Sequence, residues 1–227
     1  MGAVIGDLLP LAVGVAISPI PIIAVILMLL APRAGAASMG FTLGWTLGIV
    51  VVTGVVTVLA AGADFGNGSG DGSETGDWIK LGVGVLLLLV AVRQWRSRPA
   101  AGEAAPLPKW MSAIDRVTPV KATGLGTLLS AVNPKNLLLC IAAGVSVGSA
   151  GLSTGDATAA IAVFVVLAAS TVLVPTIGYA VAQQAMRPRL EGLRTWLEAH
   201  NAAVMTVLLV VIGAALIGKG LGGVSSS

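Results

Sequence analysis

Ser18-Pro19-Ile20-Pro21-Ile22-Ile23, near the start of the chain, and Asn133-Pro134-Lys135-Asn136-Leu137-Leu138, roughly half the sequence later, are the stretches on which the fold turns. Each is a proline-broken polar knot inside a long apolar run. A proline within a helix removes one backbone hydrogen bond and clashes with the carbonyl one turn back, at about 3 kcal/mol or more in water. In lipid the freed carbonyls must find partners inside the protein or water in a cavity. Two such knots at matching positions in two halves point to the midplane site of an inverted-repeat transporter.

Composition agrees with a membrane setting. Of the 227 residues, 56% are hydrophobic and only 10% charged, with a mean hydropathy of +0.97; a soluble domain carries about 25% charged residues. The net charge of +3 comes from basic residues in short stretches between apolar spans. That pattern reads as membrane topology rather than as a nucleic-acid surface. A single cysteine, Cys140, excludes an internal disulfide. Met1 to Pro10 holds no Lys or Arg, so it lacks the basic start of a signal peptide, and the first span is expected to be retained.

A helix needs about 20 predominantly apolar residues to cross a bilayer. Six runs qualify, at roughly 8–31, 38–62, 78–94, 123–147, 157–182 and 201–218. The segment Asp64 to Asp77 is Gly/Asn/Ser-rich and acidic, without Lys or Arg. The segments 93–121 and 183–199 carry Arg93, Arg96, Arg98, Lys109, Arg116 and Lys121, and Arg187, Arg189 and Arg194. By the positive-inside rule these two are cytoplasmic, and both termini are then outside a plasma (inner) membrane. The turn with Arg33 falls inside and the turn near Gly148 to Asp156 outside, in agreement. Trp78 and Trp196 stand near the expected boundaries, as an aromatic belt requires.

The chain therefore reads as all-α, with a first three-helix repeat at 1–98, a basic cytoplasmic linker at 99–121 and a second three-helix repeat at 122–227. An odd number of spans per unit inserts the second upside down relative to the first, giving a 3+3 inverted repeat.

Ser18, Pro19, Pro21, Asn133, Pro134, Lys135 and Asn136 are the candidate substrate-binding or gating residues. The plain alternative is that Ser18 and Asn133 repair a kink by local hydrogen bonds. A lysine deep in a span costs about 2.5–3.5 kcal/mol on insertion scales and normally faces a cavity or the bundle interior. Lys135 would suit an anionic head group, a substrate carboxylate or a proton-coupled switch; the alternative is that it snorkels to the headgroups. All ten acids lie in loops or at span ends, with Asp7 and Asp77 the nearest candidates for a proton site. Thr42 and Thr46, and Ser170, Thr171 and Thr176 around Pro175, either line a path or bond their own helix carbonyls. Pro175 is expected to kink its span.

The constellation resembles the LysE superfamily of exporters, whose members carry a proline-rich knot in the first span and an Asn-Pro-Lys motif in the fourth. Here these stand as Ser18-Pro19-Ile20-Pro21 and Asn133-Pro134-Lys135-Asn136. The Gly/Ala/Val-rich texture and basic central loop look most like the GAP group, the glycopeptidolipid- and sulfolipid-addressing proteins of actinobacterial envelopes. The first knot lacks the glycine between the prolines that amino-acid exporters commonly show. The resemblance implies export, with a glycolipid as cargo or client.

Gly40, Gly44 and Gly48 repeat at four-residue spacing, a helix-packing pattern whose alternative is a moving seam. The stretch Arg187 to Glu198 is basic and amphipathic and is expected on the inner membrane surface. Gly66 to Gly76 lacks the ligand ladder of a calcium hand and reads as an external linker. His200 sits at a span boundary and reads as interfacial. No nucleophile–base pair or metal cluster appears, so neither catalysis nor a cofactor is expected. A membrane redox carrier would need a cysteine in each half, and Val25 stands where Cys140 has its equivalent. Three functions remain: export of an envelope glycolipid or its precursor by rocking one repeat against the other, export of a small solute such as an amino acid or cation, or a non-transporting assembly factor. Expected partners are membrane lipid, envelope-lipid synthesis or export proteins and a second copy in a homodimer, with no nucleic acid.

Overall fold

The computed structural model describes residues 1–31, 34–62, 74–97, 114 and 117–226. Its elements are helices: α1 (Gly2–Ala16), α2 (Pro19–Leu30), α3 (Ala34–Gly62), α4 (Glu74–Arg96), α5 (Pro119–Ala131), α6 (Pro134–Gly148) and α7 (Thr154–Ser226). Expectations placed on Arg33, on the acidic segment up to Ser73 and on most of the basic linker fall outside the described residues.

Local chemistry sets the starts. Pro19, Pro119 and Pro134 occupy the first turn of α2, α5 and α6, where a missing N–H is tolerated. Thr118 caps α5 by accepting from the Lys121 N–H, at 3.4 Å. Ser153 caps α7 by accepting from the Asp156 N–H (3.2 Å), and its hydroxyl donates to that residue's carboxylate (3.0 Å). Gly151, at φ 59°, takes the left-handed turn between α6 and α7.

Helices α3, α4 and α7 are long and apolar enough to cross a membrane, and the number rises to five if each bent pair counts as one span. The bent pairs are α1 with α2 (53°) and α5 with α6 (66°), and both bends fall at the proline knots. Helix α7 departs from helical geometry at Ala182 (φ −140°, ψ 55°), where two helices meet. The bend is sharp. The Met186 methyl comes within 3.1 Å of where a Cβ on Gly178 would sit, whereas eight residues of straight helix span about 12 Å. Pro175 is not where the chain breaks; there the Thr176 hydroxyl donates to Val172 O at 2.8 Å and helps to stitch the turn.

The basic stretch Arg187 to Glu198 is helical and runs into the final apolar segment without a second break. Met186, Leu190 and Leu197 turn inward along one stripe, while Arg187, Arg189 and Trp196 are exposed. Helix α4 runs antiparallel to the end of α7, with Gly84 against Gly213 and Gly220 against the Asp77 backbone, each leaving no room for a Cβ. Lys219 pairs with Asp7, and Lys80 with Asp77 at 2.9 Å. Asp7, Asp77 and the C-terminal turns of α7 thus gather at one end of the bundle. Arg93 and Arg96 extend toward the other.

The two halves interlock. Within residues 1–96, α2 against α3 is the one substantial packing among the described helices. The large interfaces join one half to the other: α3 with α5 and α6, α7 with α1 and α2, and α4 with α7. Gly40, Gly44 and Gly48 of α3 press on Pro119, Thr123 and Ser130 of α5, and Gly126 of α5 presses back on Phe41 and Trp45. A Cβ at any of these would collide, mostly with backbone. The four-residue glycine repeat is therefore a close-packed seam.

Candidate functional site

In a continuous helix the carbonyl of residue i accepts from the N–H of residue i+4. The first break interrupts this ladder. Ile17 N–H still reaches Val13 O at 2.9 Å, but Ser18 turns to extended backbone (φ −85°, ψ 108°). Gly14, Val15 and Ala16 lose their helical donors, and for Val15 that donor would have been Pro19, which has no N–H.

Side chains from the second half meet two of these carbonyls. Lys135 Nζ donates to Gly14 O at 2.6 Å. Thr171 Oγ1 donates to Ala16 O, also at 2.6 Å. Two of the three open carbonyls of the first half are thus met by α6 and α7.

The second break repeats the geometry with different chemistry. Val132 N–H reaches Leu128 O at 2.9 Å, and the carbonyls of Leu129, Ser130 and Ala131 lose their helical donors. Asn136 Nδ2 donates to Leu129 O at 3.2 Å. Asn133 caps α6 by accepting from the Lys135 N–H at 3.1 Å. Here Asn133 repairs the kink, as the plain alternative had it, whereas Ser18 makes no side-chain cap bond. Ile20 and Pro21 stand where Lys135 and Asn136 have their equivalents, so the polar arms come from one half alone.

Lys135 is only 2% exposed and Asn136 is fully buried. The ammonium does not reach for the surface. Besides Gly14 O it contacts Met205 Sδ, at 4.0 Å, and Cys140 lies close by. The ion pairs among the described residues are Lys80–Asp77, Arg187–Glu191, Arg194–Glu198 and Lys219–Asp7, and none involves it. Asn136 Oδ1 is buried without a hydrogen-bond partner, as is Asn201 Oδ1, one turn before Met205 on α7. Buried polar atoms are seldom left unpaired; in the chain, Asn136 directly follows Lys135, and Asn201 stands four residues before Met205, the ammonium's sulfur contact.

The remaining candidates divide. Ser18, Pro19 and Pro21 are buried, Asn133 is half-buried and Pro134 is exposed. Thr171 joins the first break, as described. Thr176 commits its proton to Val172 O, so Thr42 donates across to Thr176 Oγ1 at 2.9 Å and links α3 to α7. Thr46 and Ser170 bond their own helices, to Thr42 O at 2.9 Å and Leu167 O at 2.7 Å. His200 is exposed and stacks on Trp196. Gly14, Asn201 and Met205 were missed in the sequence. Gly14 was within reach of helix arithmetic, four residues before Ser18; Asn201 lies beside His200 and read as a boundary.

Chemically, among the described residues the site offers one buried lysine amine with no carboxylate partner, helix-end carbonyls and the Asn136 amide oxygen without a donor. That set can hold a polar group and exchange it for the internal bonds now present. A family model described as Sap, sulfolipid-1-addressing protein (SfLAP), matches residues 8–222. No curated protein matches, and no solved structure does.

Proposed function

The chain belongs to the SfLAP family of sulfolipid-1-addressing proteins, and from that membership we propose that it moves, or helps to move, an envelope glycolipid or its precursor outward across the inner membrane. The reading counts six spans: each bent pair as one, α3, α4, and α7 as two that meet at Ala182. The halves are inverted repeats, the termini lie outside, and the basic ends face the cytoplasm. The LysE-type motif Asn133-Pro134-Lys135 forms the alternating-access site opposite Ser18, Pro19 and Pro21. One observation carries this: the Lys135 ammonium is buried without a carboxylate among the described residues, on a carbonyl that a proline break has freed. A charge held so deep is costly for a merely structural role.

A recruiting, non-transporting role draws on a different observation, the exposed basic face of α7 at Arg187, Arg189 and Trp196. The two separate in one experiment. Surface-extractable and total glycolipid are compared in a host deleted for the gene and re-supplied with wild type, Lys135→Ala or a variant with Arg187 and Arg189 changed to Ala. Export through the Asn-Pro-Lys site requires that one lipid class leave the surface, accumulate inside and return with wild type but not with Lys135→Ala at equal expression. Recruitment requires the reverse pattern of the two variants. A small-solute exporter leaves the lipid profile unchanged in every strain.

A further inference from the structure

If the protein alternates between two open states, some helices must travel together. The sequence divides the chain into halves, and the natural expectation is that one half rocks against the other. The packing does not divide there. Helices α1, α2 and α4 have little hold on one another, and α5 touches α6 only slightly.

The close contacts define a different partition. In one group, α3 is locked to α5 through Gly40, Gly44, Gly48 and Gly126, and to α6 through Gly144 and Gly148, whose Cβ positions are filled by Val56, Thr57 and Ala60. In the other group, α7 holds α4 along the glycine seam described above, and holds α1 through Thr171–Ala16 and Lys219–Asp7; α2 packs on α7 as well. A backbone-to-backbone seam has no side chains to slide on, and shifting it opens voids that lose contacts outright. Between the groups α3 packs more lightly on α2 and α7, and α6 on α1, α4 and α7; the polar contacts there are the Lys135–Gly14 bond, the loose Lys135–Met205 contact and the Thr42–Thr176 bond. The glycine seams described above lie within the groups, whereas these polar contacts between them run through side chains, which can break singly and re-form.

We infer that the moving units are α3–α5–α6 on one side and α1–α2–α4–α7 on the other, each assembled from both sequence halves. Lys135 and Thr42 are the latches between them. The inference rests on the alternating-access reading and replaces its rocking halves. A ligand that takes the Lys135 ammonium from Gly14 releases one latch, so occupancy and opening are linked through the same atom.

Two tethers test it in a Cys140→Ala background. Asp7→Cys with Lys219→Cys, joined by a short bis-maleimide, ties the two sequence halves but stays inside one proposed unit. Thr42→Cys with Thr176→Cys, oxidised to a disulfide, ties the two units. The expected result is surface lipid within twofold of the untethered protein for the first, and at least a tenfold loss for the second that recovers on reduction. Loss with the Asp7–Lys219 tether, or full activity with both, overturns the partition. A lipid profile indifferent to the untethered protein itself overturns the export reading instead. Spin labels then decide the partition alone. With a sulfated glycolipid added to nanodiscs, Leu47 to Leu128 (α3 to α5) must keep one narrow distance while Leu47 to Val210 (α3 to α7) shifts. A shift in the first pair, or none in the second, rejects the units.

Discussion

The ammonium of Lys135 lies 2.6 Å from the carbonyl oxygen of Gly14, so a cation from one proline break rests on the helix end left open by the other. The bond answers an unsatisfied acceptor and secures a buried charge at once. Its removal separates stability from function. In Lys135→Met a similar length of apolar chain replaces the charge. That change relieves an insertion cost of about 2.5–3.5 kcal/mol against an interhelical bond worth about 0.6 kcal/mol on average in membranes. The variant should unfold at the same temperature as wild type or higher, while surface lipid falls at least tenfold. Full export by a stable Lys135→Met would remove Lys135 from the mechanism.

Thr171 serves the same break through Ala16 O. Thr171→Val keeps the shape and deletes the donor, and should cost about 0.6–1.7 kcal/mol. Thr171→Ser should restore it. Reversible unfolding in mixed micelles reads both, and equal stability of Val and Ser variants would mean that the Ala16 carbonyl finds another donor.

Asn201 presents the opposite case, a buried acceptor with no partner. Leaving such a group unpaired costs about 1–3 kcal/mol. Asn201→Leu should therefore be neutral or stabilising by thermal melt. Surface lipid should nonetheless drop severalfold if that oxygen meets cargo beside Met205 and Lys135. A variant with wild-type export would make Asn201 a packing residue.

The glycine seam gives a contrast within one helix. A methyl on Gly44 falls on the Thr123 backbone, whereas Gly54 has nothing within 4 Å. Gly44→Ala should cost about 1–3 kcal/mol through overpacking. Gly54→Ala should be neutral or gain up to about 1 kcal/mol from helix propensity. Paired melting curves decide it, and equal melting points would show that α3 and α5 part readily.

Much of this was legible in the chain. The prolines at 19, 21 and 134 located both bends, because each knot sets a polar residue before a proline that starts a new helix, whereas Pro10, Pro175 and Pro188 lie within helices. Lys135 stood out because so few residues of its kind lie in apolar runs. The glycine spacing of α3 announced a close approach without naming the partner, since periodicity picks a face and not what covers it. The break at Ala182 falls where the fifth apolar run was read to end, but its sharpness, which brings Met186 back to Gly178, was not legible, since alanine favours helix. Asn201 was illegible for a related reason. A polar residue at the edge of an apolar run reads as solvated until the neighbouring helices are in place.

The interlocking of the halves has a consequence for how the protein is made. Helices α1 to α4 leave the ribosome first, and among them only α2 and α3 have a substantial surface to share. The partners for the rest, including the donors for Gly14 O and Ala16 O, are still to be synthesised. Until α5, α6 and α7 are made, the first half has an open helix end and glycine grooves on α3 and α4 with nothing to fill them. The packing of the first-translated helices is therefore completed only by the last-translated ones.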